Sequence, residues 1–186
     1  MRKSIIAILM TFCLSIMTYA QTPRDRATEL KEQAQSSLNQ KDYIKARYLF
    51  KKAYEAFATR ENYPQAIECG VQANALYVRE NFYKEGFELC RDMDQLIWAG
   101  EQNQKKVFYD LRFLVNKERL QMYTALKNPA QAKTQLNKLE ETANLAKNDS
   151  LTEVLLYTKA NYYYTFNQNT QGDACFRKLI NQYKEK

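Results

Sequence analysis

Residues 163–179 read Tyr-Tyr-Thr-Phe-Asn-Gln-Asn-Thr-Gln-Gly-Asp-Ala-Cys-Phe-Arg-Lys-Leu. Within them Tyr163, Gly172, Phe176 and Leu179 stand at a Tyr-x8-small-x3-apolar-x2-apolar spacing. The same spacing recurs as Tyr77, Gly86, Cys90 and Met93, and as Tyr123, Ala132, Leu136 and Leu139. A weaker first copy is Ser37, Ala46, Phe50 and Ala53. The small residues at 46, 86, 132 and 172 are separated by steps of 40, 46 and 40 residues. Close packing of antiparallel helices needs a small residue where the backbones approach and an apolar residue one turn later. The aromatic nine residues upstream is expected to lie on the first helix and cover that contact. One such hairpin cannot bury its apolar face alone, so copies must stack.

These residues resemble the tetratricopeptide repeat, with its Tyr on helix A and Ala-x3-Phe on helix B. Asp42-Tyr43-x2-Ala46-x3-Phe50-x2-Ala53 is similar to that family's turn and second helix, and Leu156 and Ala160 precede Tyr163 in the last copy. The resemblance covers about residues 27–183. The early Trp and closing Pro are missing, and the period near 40 falls in the range of HEAT-type arrays. The expected fold is all-α, a superhelical stack of about four hairpins, near 23–58, 63–99, 104–147 and 150–184.

Ahead of them, residues 1–20 have the layout of a secretory signal peptide. Arg2 and Lys3 form a basic start, Ser4 to Met17 is apolar, and Thr18-Tyr19-Ala20 resembles a cleavage site. The run is short for a membrane span, and an uncleaved anchor is the alternative to a cleaved signal peptide. Cys13 follows Phe12 rather than a small residue, which speaks against lipidation. No other stretch is apolar enough to cross a bilayer, and a periplasmic or secreted protein is expected. Removing Arg2 and Lys3 from 28 basic residues leaves 26 against 21 acidic ones, a net charge of +5. In an exported chain this balance points to acidic protein partners or anionic envelope surfaces, not nucleic acid. Lys and Arg spread along every helix also read as a solvated face.

Helix limits follow from caps and breakers. Thr22-Pro23 opens helix 1, which runs to about Asn39. Helix 2 begins near Asp42 with its apolar stripe to Phe57, and Asn62-Tyr63-Pro64 starts helix 3, to about Arg79. Helix 4 is expected over 82–99. Gly100 with the polar run to Gln104 reads as the longest turn, ahead of a long helix 5 over 104–126. Asn128-Pro129 caps helix 6, and Ser150 with Glu153 reads as a capping box for helix 7. Helix 8 runs from about Thr170 to Tyr183.

The chain has no His, which removes His-based nucleophile pairs, general bases and metal sites. Glu140-Glu141 and Asp92-x-Asp94 read as solvated charges, since such neighbours face different directions on a helix. No phosphate cradle or metal-ligand spacing is present. A non-enzymatic protein without cofactors is expected. Cys69 and Cys90 lie on one hairpin, where export would permit a disulfide. The bond demands a Cα separation of about 4.4–6.8 Å, and Cys90 at the groove position reads better as a buried thiol.

The resemblance implies a groove lined by the first helix of each hairpin. Its candidates are Lys31, Gln35 and Asn39; Val71, Ala75 and Arg79; Lys117, Gln121 and Thr124; Tyr157, Asn161 and Tyr164. Lys four residues before Gln is distantly similar to the family's clamp for peptide carboxylates. In the run Tyr162-Tyr163-Tyr164, Tyr163 is the expected packing residue and Tyr164 is expected in the groove; the alternative packs Tyr162 on helix 8 and Tyr164 on helix 6. Helix 8 carries Phe176, Leu179, Ile180 and Tyr183 with no polar capping helix after it, so another copy, a partner or a downstream segment is expected to cover that end. The chain resembles extracytoplasmic tetratricopeptide sensor modules of bacterial signalling proteins, without the membrane span and kinase. A protein or peptide partner is expected. The alternative is a small envelope ligand, a sugar or anionic lipid, in a Tyr-lined pocket.

Overall fold

The computed structural model describes residues 25–184. The expected signal peptide, Cys13 and the Thr22-Pro23 helix start lie outside them. Eight α-helices follow in order: α1 (Arg26–Asn39), α2 (Tyr43–Thr59), α3 (Tyr63–Arg79), α4 (Tyr83–Gln104), α5 (Tyr109–Ala125), α6 (Pro129–Ala146), α7 (Asp149–Thr165) and α8 (Asn169–Lys184). Each helix packs on the next, α3 also touches α5, and α5 touches α7. The result is a stack of four sequential hairpins. No described helix is long and apolar enough to cross a membrane.

The helix starts follow local chemistry. Asp25, Asp42, Asn62, Asn128 and Asn148 each accept a backbone N–H two or three residues on. Such caps satisfy donors that no intrahelical carbonyl reaches. The cap of α7 is therefore Asn148, whose side chain accepts from Ser150 N at 3.0 Å, rather than Ser150 itself. Each of the seven connections holds one left-handed residue: Lys41, Glu61, Asn81, Lys105, Lys127, Lys147 and Asn167.

The turns explain the nine-residue step. Asp42 N donates to Ser37 O, Phe82 N to Tyr77 O, Asn128 N to Tyr123 O and Gln168 N to Tyr163 O. Four residues later Ala46, Gly86, Ala132 and Gly172 donate back to those N-cap carbonyls. The step is thus a five-residue helix-end closure plus one turn of the next helix. At the two glycines the ring nine residues upstream is not what lies closest. The atoms nearest a Cβ on Gly86 belong to Met122 and Asn74, and those nearest one on Gly172 to Tyr164.

The boundary between the second and third hairpins differs from expectation. Helix α4 runs through Gly100 to Gln104, and α5 starts only at Tyr109, so the extra length lies in α4. Gly100 is not a break. A Cβ there would stand 2.8 Å from Phe108 and 2.9 Å from Tyr63, whose rings pack with centroids 5.7 Å apart. Glu101, polar on paper, is buried, because its carboxylate accepts from Phe108 N at 2.9 Å and from the Arg112 guanidinium.

The core falls into two clusters that share α5. Val115 and Met122 join the cluster of α1–α4, while Phe113 and Leu120 join that of α6 and α7. Helix α5 is therefore apolar on two faces and acts as the spine. Cys69, Cys90 and Cys175 are buried free thiols, with no disulfide among the described residues. Burial pushes Cys69 up to about 11 and Cys90 up to about 12. The pairs expected to be solvated are partly tied. Glu140 reaches Lys159 at 2.8 Å and Asp94 pairs with Arg119, each across neighbouring helices.

Candidate functional site

The contact of α5 with α7 leaves a groove of about 410 Å³ between adjacent first helices of hairpins. Its rim carries Lys117, Gln121, Thr124 and Lys127 from the α5 side and Val154, Tyr157, Asn161 and Thr165 from α7. Leu120 and Tyr162, both buried, form its floor. The four-residue steps Lys117–Gln121 and Tyr157–Asn161 put each pair on one helical face. No carboxylate lines the groove among the described residues.

The polar groups there have different partners. The Lys117 ammonium stands 3.4 Å from Glu118 Oε1, a carboxylate buried just beneath. Burial raises the Glu118 carboxyl above its usual range, against the pull of Lys117 and the bond from Asn74. Thr165 donates to the Asn161 backbone carbonyl at 2.8 Å, and Asn161 itself is exposed on the groove. The Thr124 hydroxyl oxygen is buried with no hydrogen-bond partner among the described residues. Tyr157 is 55% exposed, with its ring edge-on to Phe176 at 6.1 Å.

Of the residues singled out in the sequence, Lys117, Gln121, Thr124, Tyr157 and Asn161 come together here. The others do not. Lys31 is engaged by Gln65 Oε1 and Glu68 Oε2, both at 2.8 Å. Gln35 donates to Asn39 at 3.1 Å, within α1. The Arg79 guanidinium lies 3.9 Å from the centre of the Tyr43 ring. Tyr164 turns to neither the groove nor α6. Its ring stacks on Phe176 and lies over Gly172, and its hydroxyl donates to Asp173, all on α8. Tyr162, not Tyr163, is the buried member of the run.

Sequence reasoning missed Lys127, Val154 and Thr165. Lys127 has a left-handed backbone with φ of 52° and stands one residue before the Asn128 cap, so its place at the groove end was readable as a turn position. A second hollow, of about 560 Å³, lies between α4, α5 and α6 beside Trp98, which is 62% exposed. Two of its cations, Arg112 and Arg119, are paired with Glu101 and Asp94. No protein-family model, curated protein or solved structure matches the chain.

Proposed function

We propose that this is a non-enzymatic, exported scaffold of the tetratricopeptide type that binds an extended, acidic segment of a protein partner in the α5–α7 groove. The observation that carries this reading is the meeting of Lys117, Gln121, Tyr157 and Asn161 in one groove that no carboxylate lines. Side-chain amides both donate and accept, so Gln121 and Asn161 suit the unpaired N–H and C=O groups of an extended backbone. The two lysines favour acidic side chains. The exposed Tyr157 ring offers apolar area with a polar tip, a combination enriched at interfaces. Exposure of Gln121, Tyr157 and Asn161 favours a long ligand over a small one, because small-ligand sites bury most of their ligand.

The test is a pull-down of residues 21–186 from envelope extract, followed by anisotropy titration with acidic peptides cut from the captured protein. The wild type should bind, and Gln121→Ala with Asn161→Ala should weaken binding at least tenfold without loss of helicity. Binding indifferent to both substitutions rejects the groove. Capture of a sugar or lipid in place of a peptide rejects the peptide reading.

A further inference from the structure

The second helix of every hairpin carries an equivalent stripe, at positions four, eight and eleven after the small residue. On α2 it is Phe50, Tyr54 and Phe57; on α4 Cys90, Asp94 and Ile97; on α6 Leu136, Glu140 and Ala143; on α8 Phe176, Ile180 and Tyr183. The first three stripes are closed by the following helix. Every apolar member is buried, and each acidic one has a cation from that helix. On α8, Phe176 is half-buried against the rings of Tyr157 and Tyr164, and the Tyr183 hydroxyl donates to Glu153 on α7 at 3.0 Å. Ile180 nevertheless stays 53% and Tyr183 61% exposed, with no helix over them among the described residues.

The covered stripes show what kind of helix fits. Where the middle position is acidic, the covering helix supplies a cation: Arg119 to Asp94 and Lys159 to Glu140. Where it is the large Tyr54, the covering helix α3 is small-sided. Gly70 lies between Met93 on α4 and the Tyr54 ring, from which a Cβ there would stand 2.6 Å and 3.2 Å, and Ala66 and Ala73 join the same core. The middle position of α8 is Ile180, so its stripe is of the α2 kind. Arg177, Lys178 and Lys184 are exposed on the same helix.

We infer that the Phe176–Ile180–Tyr183 face of α8 docks an amphipathic helix of a partner protein, with a Gly/Ala seam against Ile180 and acidic flanks against Arg177 and Lys184. A second copy fits poorly. An α8–α8 contact would set these cations against their own copies. The first helix of another copy would bring Gln33, which occupies the register of Ala73, against Ile180. This surface is separate from the α5–α7 groove, and its test does not depend on it.

The probe is a lactam-stapled peptide of residues 62–81, the α3 sequence, with Cys69→Ser, Gln72→Glu and Arg79→Glu. Its helicity is confirmed by circular dichroism, and its binding to residues 21–186 is read by anisotropy. Saturable binding is expected, at least tenfold weaker for Ile180→Asp and several-fold weaker for Arg177→Glu, with both variants keeping wild-type thermal unfolding. Binding by Gln121→Ala should be unchanged. No binding by the wild type, or equal binding by Ile180→Asp, overturns the inference. So does a wild-type dimer in sedimentation that Ile180→Asp dissociates, since the face would then belong to a second copy.

Discussion

Asn74 on α3 donates from Nδ2 to Glu118 Oε2 on α5 at 3.0 Å, across 44 residues of chain, with both side chains buried. This bond ties the second hairpin to the third within the apolar contact of two first helices. The Asn74 side-chain carbonyl oxygen beside it has no hydrogen-bond partner among the described residues. Buried polar groups without partners are costly, so this junction is sensitive to any change that removes one side.

Burial raises the Glu118 carboxyl above its usual 4.5. A carboxyl with a raised folded value contributes stability below the unfolded value and loses it as pH rises through the folded one. Glu118→Gln removes that dependence. Its melting temperature relative to wild type should therefore climb as pH rises from about 4 to 8. Scanning calorimetry across that range checks this, and a flat or falling difference rejects it.

Glu101 has the opposite sign. The Arg112 guanidinium, with help from Phe108 N, holds its carboxyl below 4.5. Its stabilisation is present above the unfolded value and lost as pH falls through the lowered folded value. At pH 7, Glu101→Gln should cost about 1.5–3 kcal/mol, the usual range for hydrogen bonds to charged groups. The two proteins should converge in acid. Urea titrations at pH 7 and pH 3 test both halves of the statement.

Glycine at the small position is required to different degrees along the stack. A Cβ on Gly86 would meet Met122 Sδ at 2.8 Å and Asn74 Oδ1 at 2.9 Å, both from fully buried side chains. On Gly172 the three nearest atoms all belong to the ring of Tyr164, which is 37% exposed. That ring is held by Phe176 and Asp173 at the surface, where it can give way more easily than a fully buried side chain. Alanine recovers about 1 kcal/mol of helix propensity at either site, while overpacking costs about 1–3 kcal/mol. Gly86→Ala should therefore destabilise and Gly172→Ala should be near neutral. Equal losses in denaturant titrations would show that the end of the stack packs as tightly as its middle.

The eight helices and their hairpin order were legible because small and apolar residues recur at helical spacing. The reason for the nine-residue step was not, since it lies in backbone closure at Ser37, Tyr77, Tyr123 and Tyr163. The end of α4 was misread because the burial of Glu101 depends on Arg112, eleven residues away. Five of the eight rim residues of the groove were visible from helical spacing. Four-residue steps on α5 and α7 disclose a shared face, but nothing local reveals that Glu68 engages Lys31 across helices or that Tyr164 folds onto Gly172.

The turns leave stability unrealised. Lys41, Glu61, Lys127 and Lys147 have φ between 50° and 63°, with side chains that disfavour the left-handed region. That conformation costs a non-glycine residue about 1–2 kcal/mol. Glycine removes the cost but makes the unfolded chain more flexible by about 0.4–1 kcal/mol. Each Lys→Gly or Glu→Gly change should net about 0.5 kcal/mol, the difference between those two costs. The four sites lie in separate turns, so their effects should add. The quadruple variant should then gain about 2 kcal/mol in urea unfolding with an unchanged m-value. A loss of stability would mean that these side chains make turn contacts worth more than the backbone strain.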